Sequence, residues 1–246
     1  MKTKTLAALA LVAALGASPA WAAEVVSSHI VGYQKVSIRS GLTIVGAPFV
    51  DVGGSGEGLS IQAITPSDTE NSGGISGLRI WAGTAYDDYF YYPEDQFGVG
   101  EDEIPGWGDI NQEEAGTVIP PGTGFWIQSD STEVLTVAGE VGSQNTVTVR
   151  SGLTLVCNPL PMDINIQNIV PSDTENSGGI SGLRLWNGTA YVDYFYYPED
   201  QFGVGENEIP GWGDINQEEV SVSIPSGTGF WIQSDKTETL TFNNSL

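Results

Sequence analysis

The stretch Leu183-Arg184-Leu185-Trp186-Asn187-Gly188-Thr189-Ala190-Tyr191 sets an Asn-Gly pair between two β-prone runs. Asn and Gly tolerate positive φ better than other residues, so the pair predicts a β-hairpin closed by a two-residue turn with both residues at positive φ. The same stretch recurs at residues 78–86, with Ala82-Gly83 at the turn. Its return arm runs through Asp88-Tyr89-Phe90-Tyr91-Tyr92. The arm is expected to stop at Pro93, which has no N–H to give to a ladder.

This hairpin is part of a longer repeat, because residues 66–130 return as residues 171–235 with nine substitutions. Upstream, Arg39-Ser40-Gly41-Leu42-Thr43 returns as Arg150-Ser151-Gly152-Leu153-Thr154. The two alignments differ by six positions, and that difference falls in the glycine-rich residues 51–58. The chain therefore divides into residues 1–22, a first β module at 23–140 and a second at 141–246.

Within a module the alternation is that of strands. Leu153, Leu155 and Cys157 share one face with Leu42, Ile44 and Gly46 as counterparts, which makes Cys157 an expected core residue. In Gly124-Phe125-Trp126-Ile127-Gln128, Trp126 shares a face with Gln128 and stands opposite Phe125 and Ile127. Comparison of Val134-Leu135-Thr136-Val137 with Thr239-Leu240-Thr241-Phe242 turns Leu135 and Val137 inward, since only the alternate positions carry threonine. Leu59-Ser60-Ile61-Gln62-Ala63-Ile64 reads either as strand or as a helical turn. Short strands with Gly/Pro turns give an all-β fold of two tandem homologous β-sandwich or barrel-like modules.

Residues 1–22 carry Lys2 and Lys4, an apolar run from Leu6 to Ala17 and then Ala20-Trp21-Ala22, the three parts of a secretory signal peptide. The expected location is extracellular or cell-surface, with the periplasm as the alternative. The apolar run is too short for a spanning helix of about 20 residues. Loss of Lys2 and Lys4 takes the formal charge from −23 to −25. Nucleic acid and anionic membrane surfaces are poor partners for such a chain. Its single cysteine excludes an intramolecular disulfide framework.

The pairing of GLTLVCNPL near a module's start with IPSGTGFWI near its end resembles a repeated secreted domain of uncharacterised bacterial surface proteins. The resemblance implies an all-β exported module and brings no established activity.

The chemistry open to the chain is narrow. Its only histidine is His29, so a nucleophilic triad and a zinc site of Cys and His both lack parts. A pair of carboxylates, as in a glycosidase, is the one enzymatic alternative. The segment from Glu94 to Glu114 reads as a long glycine-rich loop holding Glu94, Asp95, Glu101, Asp102, Asp109 and Asn111. The second copy repeats them as Glu199, Asp200, Glu206, Asp214 and Asn216, with Asn207 in place of Asp102. Such hard oxygen donors suit calcium, although their spacing is not that of an EF-hand.

Aromatic rings supply the second candidate. Trp81, Trp107 and Trp126, with Tyr86, Tyr89, Tyr91 and Tyr92, either fill a core poor in long aliphatics or stack on sugar rings. Asp87 gives way to Val192 while Asp88 and Asp193 are kept. A face that accepts aspartate or valine argues against a closed core, so Tyr89, Tyr91, Tyr194 and Tyr196 are expected on the more exposed face. With Trp126, Trp231, Trp107 and Trp212 they form the candidate ligand set. The expected activity is non-catalytic: binding of a polysaccharide, with calcium as the one candidate cofactor. Self-association into a surface layer or filament through the edge strand at residues 30–38 is the alternative.

Overall fold

The computed structural model describes residues 30–53, 56–69, 72–97, 104–174, 177–202 and 209–243. In the first copy the chain forms β1 (Val31–Ile38), β2 (Gly41–Gly46), β3 (Phe49–Val50), β4 (Leu59–Ser60), β5 (Ile64–Pro66) and β6 (Ile75–Trp81). There follow β7 (Tyr86–Phe97), β8 (Ile104–Gly108), β9 (Val118–Ile119), β10 (Gly124–Ser129) and β11 (Glu133–Val141). The second copy contains β12 (Thr146–Val149), β13 (Gly152–Cys157), β14 (Ile164–Asn165), β15 (Ile169–Pro171) and β16 (Ile180–Trp186). It closes with β17 (Tyr191–Phe202), β18 (Ile209–Gly213), β19 (Ser223–Ile224), β20 (Gly229–Ser234) and β21 (Glu238–Phe242).

The fold is all-β, and its pairings are antiparallel. Each copy has a five-stranded sheet, β2-β10-β6-β7-β8 in the first and β13-β20-β16-β17-β18 in the second. A smaller sheet faces it, β1-β11-β3 with β5 also on β11, or β12-β21-β15. Between the two sheets lies a hydrophobic cluster for each copy: Ile38, Leu135 and Val137 meet Val45, Leu78, Phe125 and Ile127 in the first. Val149, Leu240 and Phe242 meet Val156, Leu183, Phe230 and Ile232 in the second. Period-2 alternation drives this arrangement, since β10 buries Phe125 and Ile127 while Trp126 and Gln128 stay half-exposed. Leu135 and Val137 are fully buried as their alternation predicts.

Several local expectations need correction. The hairpin exists, with Trp186 opposite Tyr191, but its loop has four residues, not two. Asn187 N–H donates to the Ala190 carbonyl, and only Gly188 has positive φ. The Asn187 carboxamide oxygen accepts from the Thr189 and Ala190 amides, so Asn closes this turn with its side chain as well as its backbone N–H. Pro93 does not end β7, which continues to Phe97 past a register irregularity between Tyr92 and Phe97. The expected long loop is partly strand, because β8 pairs back on β7. The open segment at residues 61–63 is a 3₁₀ turn capped by Ser60, whose side chain accepts from the Gln62 amide.

That turn places a polar staple inside each copy. The Gln62 side chain donates to the Trp107 and Ala115 carbonyls and accepts from the Trp107 N–H at 2.9 Å. Gln167 repeats the pattern on Trp212 and Val220. Each ties a buried segment to the 3₁₀ turn, adding to the bonds that the Ala115 and Val220 amides make to the Trp107 and Trp212 carbonyls.

Residues 1–22 and His29 lie outside the described residues. Among the described residues no helix is long and apolar enough to cross a membrane.

Candidate functional site at the junction of the two copies

Leu42, Ile44 and Gly46 do not face the core of their own copy. Ile44 and Leu155 are almost fully buried and yet belong to neither hydrophobic cluster, whereas their neighbours Val45 and Val156 do. What covers them is the other copy. Val45 bridges Thr228, and Thr123 bridges Val156. The Gly46 amide donates to the Gly227 carbonyl at 2.8 Å, and the Cys157 amide donates to the Gly122 carbonyl at 2.7 Å. Gly46 corresponds to Cys157 in the repeat, and Gly122 to Gly227, so the two bonds are related by a pseudo-twofold axis.

Close approach at this axis explains glycines that the sequence shows without a reason. A Cβ on Gly124 would lie 2.7 Å from the Val156 carbonyl oxygen, and one on Gly229 would lie 2.9 Å from that of Val45. A Cβ on Gly46 would overlap the Cβ of Cys157. Cys157 is fully buried there, and desolvation pushes its thiol pKa up to about 12. It is a packing residue at the junction, not a nucleophile.

Over the junction runs a row of aromatic rings. Tyr86 and Trp81 lie 4.9 Å apart, Trp81 and Trp231 meet at 6.1 Å with a 76° interplanar angle, and Tyr191 and Trp186 lie 5.0 Å apart. Trp231 Nε1 donates to Tyr191 Oη at 3.2 Å, linking the second copy's pair to the first copy's. Trp81 Nε1 crosses the junction to donate to the Leu153 carbonyl at 3.1 Å. Beside the row, Arg150 Nη1 donates to the Ala82 carbonyl at 3.3 Å, so the arginine of one copy braces the hairpin turn of the other.

Two clefts flank the axis and are lined by corresponding residues. One has a volume of about 360 Å³ and is lined by Trp81, Thr84, Thr123, Thr148, Arg150 and Leu155 among others. Its counterpart, lined by Trp186, Arg39, Ser37, Ile44 and Thr228, has a volume of about 190 Å³.

The candidate ligand set is split by the structure. Trp126 and Trp231 do stand on the outward face of the large sheet, half-exposed, and Trp231 joins the aromatic row. Trp107 and Trp212 are fully buried, with their indole N–H groups on the Ile64 and Ile169 carbonyls at 2.7 Å. Tyr91 and Tyr196 are 6% exposed and pack edge-on against those tryptophans. Burial pushes the Tyr196 phenol up to about 12. Tyr89 and Tyr194 are half-buried against the same clusters, and Thr117 Oγ1 donates to Tyr89 Oη at 2.9 Å. The expected exposed tyrosine face is therefore the core face. Asp87 and Val192 misled because they sit at the exposed start of the strand, where carboxylate and isopropyl groups are both tolerated. Asp88 and Asp193 are kept for a different reason: each pairs across strands with Arg79 or Arg184, at 3.1 and 3.2 Å.

Trp186, Tyr191, Arg39 and Arg150 escaped selection from sequence. The one available signal was that Arg39-Ser40-Gly41-Leu42-Thr43 recurs as Arg150-Ser151-Gly152-Leu153-Thr154 in a chain with only eight basic residues.

Of the calcium candidates, Asp109 and Asp214 turn out to organise a tight loop. Asp109 Oδ1 accepts from the Asn111 and Glu113 amides at 2.8 and 3.0 Å, and Oδ2 accepts from Asn111 Nδ2 at 3.0 Å. Asp214 does the same with Asn216 and Glu218. These bonds, that from Glu113 foremost, hold the Asp109 pKa below its ordinary 3.8. A carboxylate whose pKa is lower folded than unfolded stabilises above its ordinary pKa and loses that contribution as pH falls through the folded value. The Asn111 and Glu113 amides are thus expected to keep their hydrogen-exchange protection near neutrality and to lose it below about pH 3.8. In Asp109→Ala protection should be weak at every pH, as amide exchange by NMR would report. The side chains of Glu94, Asp95, Glu199 and Asp200, and residues Glu101, Asp102 and Glu206, lie outside the described set. Among the described residues no three His, Cys, Asp or Glu side chains gather as a metal site. Compared with protein-family models, curated proteins and solved structures, the chain matches none of them.

Proposed function

We propose that the chain is an exported, non-catalytic repeat protein that binds carbohydrate at the junction of its two copies. The observation carrying this reading is the aromatic row Tyr86, Trp81, Trp231, Tyr191 and Trp186 beside a 360 Å³ cleft edged by threonines. Flat apolar faces bordered by hydroxyl groups are what a pyranose needs, since its C–H face stacks and its hydroxyls hydrogen-bond. Export rests on the pattern of residues 2–22. The resemblance to a repeated domain of bacterial surface proteins points to the same location.

The test is a glycan-binding screen of residues 23–246 with and without calcium. A neutral or acidic oligosaccharide is expected to bind and to change tryptophan fluorescence, and Trp81→Ala is expected to weaken it at least tenfold. Cys157 alkylation serves as control, since a variant that keeps the thiol shielded has kept the junction closed. Absence of any glycan ligand would overturn the reading.

A second reading, assembly into a surface structure, draws on β1. This edge strand exposes Val31 by 59% and Tyr33 by 70%, with Ile30 beside it 71% exposed. Edge strands with apolar side chains pair between molecules. Light scattering after size exclusion distinguishes the two, because assembly produces large species without any glycan.

A further inference from the structure

The two clefts are copies of one design, yet they differ nearly twofold in volume, and the residues around them differ between the copies. At the smaller cleft Gln34 reaches across the axis: its Nε2 donates to the Ser226 carbonyl and its Oε1 accepts from Ser226 Oγ. A Cβ on the adjacent Gly227 would lie 2.6 Å from that Gln34 oxygen, and one on its counterpart Gly122 would lie 2.2 Å from Val147, so both glycines are closely covered but only the first by a polar side chain. The counterparts at the larger cleft are Asn145, one methylene shorter, and Pro121, which has no hydroxyl. That pair cannot form the clamp. Arginine placement follows the same division. Arg39 lies so close to Gly188 that any Cβ there would overlap the guanidinium, whereas a Cβ on Gly83 would stay 3.2 Å from Arg150 Nη1.

Arg150 thus borders an open cleft, and one bond to Ala82 leaves most of its five N–H donors without an assigned partner there. It is the one charged side chain among the described residues lining this cleft, and the rest of the polar lining is Ser and Thr hydroxyl. A planar guanidinium is matched to a carboxylate, which it can bind through two parallel hydrogen bonds. Trp81 forms the neighbouring wall. The surrounding acidic surface does not bar an anion, because charges beyond about 8 Å are screened at physiological ionic strength.

Building on the carbohydrate reading, we propose that the Trp81–Arg150 cleft is the single ligand site of the chain and that it selects a carboxylate-bearing sugar, a uronate. Trp81 receives the C–H face of the ring, Arg150 receives the carboxylate, and Thr84, Thr123 and Thr148 border the hydroxyls. The twin cleft has about half the volume, and Arg39 lies against Gly188 there, so the expected stoichiometry is one uronate segment per chain despite the duplication.

The experiment titrates residues 23–246 with oligogalacturonate and, separately, with the matching neutral galactose oligomer, by calorimetry. Oligogalacturonate is expected to bind with one site and at least tenfold tighter than the neutral oligomer. Arg150→Gln should remove that preference, and Arg39→Gln should leave it intact. Because Arg150 also braces the Ala82 turn, a second variant avoids it: Asn145→Gln with Pro121→Ser installs the twin's clamp and should weaken uronate binding at least tenfold while the junction stays shut. Equal binding of acidic and neutral oligomers, or two equivalent sites, overturns the proposal and leaves the carbohydrate reading standing. Failure of both oligomers together with an empty glycan screen overturns both.

Discussion

Gly46→Val is expected to lower stability by about 3 kcal/mol, the upper range for overpacking, and to open the only thiol of the chain to alkylation. The cause is geometric. Gly46 and Cys157 occupy equivalent places on the two sides of the pseudo-twofold axis, and a Cβ at Gly46 would overlap that of Cys157. Neither residue can step aside, since each amide is tied across the junction to a glycine carbonyl, Gly227 for one and Gly122 for the other. In the native protein Cys157 is fully buried and desolvation pushes its thiol up to about 12, so it stays protonated at pH 8. Iodoacetamide is expected to leave it unmodified within hours. In Gly46→Val the copies separate at the axis and Cys157 reacts on the scale of minutes, while the two separate hydrophobic clusters keep the sheets intact. Transferring the volume by Gly46→Val with Cys157→Gly should restore most of the lost stability in urea denaturation, a coupling expected only of residues in contact. Slow alkylation in the single variant, or no rescue in the double, would show that the axis is not where the copies meet.

The second large effect concerns the core. Trp107→Ala is expected to cost about 3–5 kcal/mol, a large part of the 5–15 kcal/mol typical of a folded domain. Trp107 is fully buried, its indole donates to the Ile64 carbonyl, and its ring receives Tyr91 edge-on at 5.2 Å and 74°. Removal leaves a cavity, an unpaired carbonyl and a tyrosine without its aromatic partner, a pair worth about 0.5–1.5 kcal/mol beyond area. Gln62 cannot compensate, because its bonds are to the Trp107 backbone and stay as they are. Trp212→Ala should cost the same within error, since Trp212, Tyr196 and the Ile169 carbonyl repeat the geometry at 5.3 Å and 77°. Urea denaturation followed by circular dichroism measures both. A marginal loss would mean that the ring serves something other than the core.

What the sequence disclosed was whatever depends on neighbours a few residues away. Alternation placed Phe125 and Ile127 opposite Trp126 and turned Leu135 and Val137 inward, because side chains two apart share a face whatever lies beyond it. The hairpin at Asn187-Gly188 was legible for the same reason, although not its loop length, which the Asn187 side chain sets. What covers a face is a different matter. Leu42, Ile44 and Gly46 alternate as core residues do, and nothing local says that their cover is the other copy, more than a hundred positions away. Arg39 and Arg150 were missed on the same ground, since Arg150 acts on Ala82 of the opposite copy. The tyrosine face was misassigned because one exposed position, Asp87, stood for a strand that passes from solvent into the core within four residues.

The axis also limits how the two copies can be related as nucleic acid sequence. Repeated coding segments tend to exchange tracts with one another, and such exchange drives copies toward identity. Residues 66–130 and 171–235 differ at only nine positions. An exchange reaching upstream through residues 42–46 would write Leu-Thr-Leu-Val-Cys in place of Leu-Thr-Ile-Val-Gly and set two cysteines where the backbone leaves room for one. The pseudo-twofold axis thus acts as a boundary to homogenisation: one position at which the halves of this chain must differ for the whole to close.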